Sequence, residues 1–92
     1  MAITDHEKLH KAEALQKEQD QKMINCLKEL CSAYAADDPS YHHLELEATR
    51  IGEELDAQGG IAAMRRVFAH VQGSPGSRTL EMHWSGIGNW RG

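Results

Sequence analysis

The stretch ahead of Pro39 contains neither proline nor glycine, and from Glu7 to Ala36 it is rich in Lys, Glu, Gln, Ala and Leu. Those residues lose little rotamer freedom in a helix and compete weakly with its backbone bonds, so nothing in this part of the chain stops one. A chain that opens with so long a helix must organise the remainder around it. Thr4-Asp5-His6-Glu7 marks the start as a capping box, in which the Thr4 hydroxyl accepts from the Glu7 amide and the Glu7 carboxylate reaches back to the Thr4 amide. The helix changes character midway. Met23, Ile24, Leu27, Leu30, Cys31 and Tyr34 form an apolar stripe, whereas His6–Lys22 offers only Leu9, Ala12, Ala14 and Leu15. The spacing predicts a polar helical arm over 1–22 and a single helical domain over 23–92.

Asp37-Asp38-Pro39 ends this helix and starts the next, because the residue before proline leaves the helical region, Asp38 can cap and Pro39 suits the first helical position. Tyr41, Leu44, Ala48, Ile51 and Leu55 then recur on one face, opposite Glu45, Glu47, Glu53, Glu54 and Asp56. Gly59 and Gly60 are expected to supply the positive φ of a helical corner. A third helix follows from about Ile61 to Val71 with Ile61, Met64, Val67 and Phe68 on its inner face. Gln72–Ser77 reads as a loop, Arg78–Ser85 as a short fourth helix carrying Leu80 and Trp84, and Gly86 as its stop. No strand-like alternation of useful length occurs. The expected class is all-α, a small bundle of three main helices plus a short C-terminal fourth, with the long N-terminal helix partly projecting.

With 92 residues, 26% charged and 40% hydrophobic, the chain has material for one modest core and not for an elaborate buried active site as well. The opening MAITDHEKLHKAEAL has no apolar run ahead of its charges, so neither a secretory signal nor a membrane span is expected, and a cytoplasmic location is. Cys26 and Cys31 stand five residues apart in a helical pattern and point in different directions, which suits free thiols. Charge is uneven, with net −1 over 1–27, −6 over 28–58 and +3 over 59–92. An acidic middle beside a basic end fits packing or opposed faces better than the uniformly basic surface of a nucleic-acid binder.

The C-terminal half, through Gly59, Gly60, Met64, Leu80, Glu81, Trp84, Gly86, Ile87, Gly88 and Trp90, resembles small bacterial proteins without an assigned activity that end in G-G-x-x-x-M followed by L-E-x-x-W-x-G-I-G-x-W. The resemblance covers about the last forty residues. It implies a bacterial or mobile-element origin and carries no catalytic residue with it.

Three motifs suggest chemistry. His6-Glu7-Lys8-Leu9-His10 matches H-E-x-x-H, where two histidines one turn apart hold zinc and the glutamate acts as general base. That pattern needs a third ligand and a walled cleft, yet it falls here in the most polar part of the chain; His6 and His10 are weak metal candidates, and solvated His42-His43 add little. The second motif is the corner, which invites a helix-turn-helix reading with Arg65 and Arg66 on the recognition helix. Its apolar spacing is one residue short, and Glu53, Glu54 and Asp56 would face phosphates. The third is the tail, where Trp84, Ile87 and Trp90 either fold over the corner or leave a tryptophan exposed beside Arg91 as an interface anchor. No serine, histidine and acid grouping stands out.

Leu9, Ala12, Gln16, Gln19, Met23, Cys26 and Leu30 follow the alternating three- and four-residue steps of a helix-pair seam. The leading expectation is therefore a small non-enzymatic protein–protein interaction module, a regulator, adaptor or inhibitor. It would need no cofactor and would pair with a protein partner or with itself as a homodimer through the N-terminal helix. Expected partner-binding residues are Leu9, Ala12, Gln16, Gln19, Met23, Trp84, Trp90 and Arg91. A helix-turn-helix-like nucleic-acid binder using Arg65 and Arg66 stands second, and a zinc-dependent hydrolase using His6 and His10 third.

Overall fold

The computed structural model describes the backbone of residues 5–91 and the side chains of residues 15–91. The Thr4–Glu7 capping box and the side chains of His6, Leu9, His10 and Ala12 lie outside the described residues. Three helices, α1 (Asp5–Ala36), α2 (Tyr41–Phe68) and α3 (Ser77–His83), make up the regular structure, with no strand among the described residues. None of them is long and apolar enough to cross a membrane.

α1 closes in a Schellman turn, in which the Asp38 amide donates to the Ala33 carbonyl at 2.9 Å and the Asp37 amide to the Tyr34 carbonyl at 3.2 Å. Asp37 takes the left-handed conformation that this turn requires, at φ 53. Glycine usually fills that position. The chain re-enters a helix at once, because the Asp38 carboxylate accepts from the Ser40 amide at 3.0 Å and the Tyr41 and His42 amides bond back to the carbonyls of Asp38 and Pro39. Pro39 thus sits in the opening turn, and regular α-bonding begins at Tyr41.

The Gly59-Gly60 corner is a break inside α2. Gly60 has φ 66 and ψ −153, a region that is essentially glycine-only, while Gly59 keeps a negative φ of −156. Only one of the two glycines therefore supplies the positive φ expected of both. The segments read from sequence as a second and a third helix lie on either side of this non-helical break, within the span Tyr41–Phe68. α2 also ends at Phe68 rather than Val71, since the amides of His70 and Val71 tighten onto the carbonyls of Val67 and Phe68. Val71 remains fully buried in that turn.

Ile24, Leu27, Leu30 and Cys31 of α1 pack on Ala48, Ile51, Leu55, Met64, Val67 and Phe68 of α2, and α3 adds Leu80 beneath the tail residues Trp84 and Trp90. α1 meets α3 closely because Gly76, at φ 87, lays its backbone on the carbonyl of Cys31, where a Cβ would overlap that oxygen. Among the described side chains of α1, Leu15–Gln19 are all exposed, Asp20 and Met23 are half-buried, and Ile24 is the first core residue.

Two substitutions test these turns with opposite signs. Gly60→Ala meets no atom within 4 Å, so its cost is conformational, and it should lower stability by about 1–3 kcal/mol. Asp37→Gly should raise stability by about 1 kcal/mol, relieving a left-handed non-glycine residue and a negative charge at a helix C-terminus. Urea unfolding measures both. The reverse order would contradict this account of the turns.

Candidate interaction surfaces

The residues expected to carry function fall in three places. The first is the exposed stretch Leu15–Gln19 of α1. Gln16 and Gln19 are exposed, Gln16 donates to Asp20 at 2.9 Å, and Leu15 is 58% exposed. Farther along the seam, Met23 and Cys26 are half-buried and Leu30 is fully buried. The domain's own core therefore takes up the end of the seam, and of its described residues Gln16 and Gln19 are the exposed ones.

The second place is a groove formed by the end of α2, by α3 and by the tail. Ile61, Arg65 and Phe68 come from α2, Glu81 from α3, and Trp90 and Arg91 from the tail; together with Gln72 they enclose a cavity of about 200 Å³. Phe68, Gln72 and Glu81 also line an adjoining depression of about 510 Å³, which continues to Arg78 and Met82. Arg65, Arg78 and Arg91 are exposed, and none has a carboxylate within ion-pair distance among the described residues. Arg66 behaves differently: it reaches back to Asp20 of α1 at 3.2 Å. The two arginines proposed for nucleic acid thus serve separate surroundings.

The tail tryptophans do not stand out as anchors. Trp84 is fully buried and Trp90 is 5% exposed, so of the tail residues put forward for partner binding only Arg91 is exposed. The physical reason is that each indole N–H finds an acceptor inside, Trp84 Nε1 on the Ala48 carbonyl and Trp90 Nε1 on the Glu81 carbonyl, both at 2.9 Å.

The third place was not anticipated. Thr49 Oγ1 lies 2.8 Å from His83 Nε2, His83 Nδ1 lies 3.4 Å from Glu45 Oε2, and Tyr34 donates to that same oxygen at 2.6 Å. A hydroxyl, an imidazole and a carboxylate in this order resemble a nucleophilic triad. The hydroxyl is already committed, however: Thr49 Oγ1 donates to the Glu45 carbonyl at 3.0 Å, and His83 Nε2 lies 3.1 Å from the same carbonyl. The group ties α1, α2 and the end of α3 together. Burial, then the bond to Glu45, pushes the Tyr34 phenol above its usual range. Burial likewise raises the Cys31 thiol, and burial with Glu47 and Glu29 raises Cys26, so neither cysteine is an activated nucleophile. Among the described residues, no three His, Cys, Asp or Glu side chains gather as a metal site; His6 and His10 lie outside that set.

No protein-family model, curated protein or solved structure matches this chain.

The Tyr34 shift fixes a pH dependence. Because the folded state holds the phenol protonated while the unfolded state releases its proton near pH 10, stability should be intact below about 10 and decline above it. Tyr34→Phe should cost about 1 kcal/mol at neutral pH, where the half-buried Glu45 loses its donor, and should flatten the alkaline decline. Urea unfolding at neutral and alkaline pH measures both effects; an unchanged alkaline slope would contradict the assignment.

Proposed function

We propose that the protein is a small non-enzymatic protein–protein interaction module of the cytoplasm, a regulator, adaptor or inhibitor, which pairs with a second copy of itself through the first half of α1. The observation that carries this reading is the uninterrupted exposure of Leu15–Gln19 on a helix that continues to Asp5. A helical segment standing away from its core is marginal in water, since nucleation is costly and side-chain pairs such as Gln16 with Asp20 contribute only a few tenths of a kcal/mol. Packing against a second helix removes that deficit. Leu9, Ala12, Gln16, Gln19 and Met23 give the three- and four-residue seam along which it would lie. The glutamines make the seam weak, which suits a reversible pairing.

Sedimentation equilibrium decides the matter. The full chain should sediment as a dimer and the chain lacking residues 1–20 as a monomer. Equal assembly states with and without the segment would remove the arm from any role in pairing.

A further inference from the structure

The groove beside Trp90 has properties that the pairing of α1 does not use. It is lined by Ile61, the nearly buried Phe68 and the edge of Trp90, with Arg65 and Arg91 on the first depression and Arg78 on the second. Glu81 lies where the two depressions meet, so the groove holds three guanidinium groups against one carboxylate. Guanidinium groups that lack an internal carboxylate are free to form the paired, charge-assisted bonds that carboxylates accept. The Arg65–Arg91 cavity, at about 200 Å³, is below the roughly 300–1,000 Å³ of small-molecule sites and accommodates a single large side chain. The central Glu81 repels an acid placed in the middle and leaves the ends favourable.

We propose that this groove binds an acidic linear segment of a partner protein, seating one apolar side chain against Phe68 and Trp90 with acidic residues on either side of it. Arg65 and Arg91 bind the acids at one end and Arg78 those at the other. A phosphate backbone fits less well, because its evenly spaced charges would run past Glu81, where a peptide can place an uncharged side chain. The site is separate from the α1 arm, so occupancy of one leaves the other available.

The test uses the full chain and a short fluorescein-labelled peptide with a central leucine between runs of Asp and Glu. Anisotropy should show saturable binding that weakens as salt rises, with a change in intrinsic tryptophan fluorescence from Trp90. Changing the peptide's leucine to alanine, or its acids to Asn and Gln, should weaken binding at least about tenfold. Arg65→Glu together with Arg91→Glu should do the same while the circular dichroism spectrum and melting temperature stay unchanged; Lys28→Glu, on α1, should not. Equal binding of the Asn/Gln peptide overturns the proposal, as does full binding by the doubly reversed protein or no saturable binding at millimolar protein. A single-stranded oligonucleotide that binds more tightly than the peptide and is lost in the same variant would make the groove a nucleic-acid surface instead. Neither result depends on whether α1 pairs.

Discussion

The indole of Trp84 rests on bare helix backbone at Gly52, and the rest of the molecule closes around that contact. Its N–H donates to the Ala48 carbonyl at 2.9 Å, and a Cβ on Gly52 would stand 3.0 Å from both Trp84 Nε1 and Ile87 Cδ1. A Cβ there would press on the ring and require Trp84 or Ile87 to shift by a few tenths of an ångström. Trp84 in turn sets the other aromatic rings: Trp90 meets it edge-on at 5.2 Å and 88°, and Phe68 completes the group at 5.2 Å from Trp90. Such pairs contribute about 0.5–1.5 kcal/mol each beyond the area they bury, and removing a buried Trp altogether costs about 3–5 kcal/mol. In a chain with one modest core, that is a large share of the total.

Both candidate surfaces follow from this closure. The tail can bring Arg91 beside Arg65 only because Ile87 and Trp90 turn back, with the Ile87 amide on the Trp84 carbonyl and the Trp90 amide on the Ile87 carbonyl, each at 3.0 Å. The groove is thus a product of the folded tail. The arm has the opposite origin. Once α2, α3 and the tail have covered α1 from Ile24 onward, no described core residue lies earlier on that helix, and Leu15–Gln19 keep their exposure.

Local signals are legible in this sequence and long-range ones are not. The absence of breakers before Pro39, the apolar stripe from Met23 and the Asp38-Pro39 restart each act within a few residues, where propensity and capping decide the outcome. Gly60 is legible as a corner between two helical segments, because the positive φ it supplies is a local property of the residue. Trp84 and Trp90 illustrate a different limit. A buried tryptophan and an interface anchor have the same composition and flanking arginine, and only the acceptors at Ala48 and Glu81 separate them. The Thr49–His83–Glu45 group joins residues of α2 and α3 far apart in sequence and leaves no periodic trace. The groove is similar: Arg65 and Arg91 were singled out for different reasons, and only the fold shows that they share a wall.

The central claim, that Trp84 needs bare backbone at Gly52, is tested most directly by the unfolding free energy of Gly52→Ala. Helix propensity alone favours alanine at an interior helical position by about 1 kcal/mol. Packing opposes it, because the added methyl enters a space already filled by Trp84 and Ile87, and overpacking of this kind costs about 1–3 kcal/mol. The variant should therefore be less stable than the parent, with a weakened near-ultraviolet circular dichroism signal from the displaced indole. A Gly52→Ala protein more stable by about 1 kcal/mol, with its aromatic signal intact, would contradict the account.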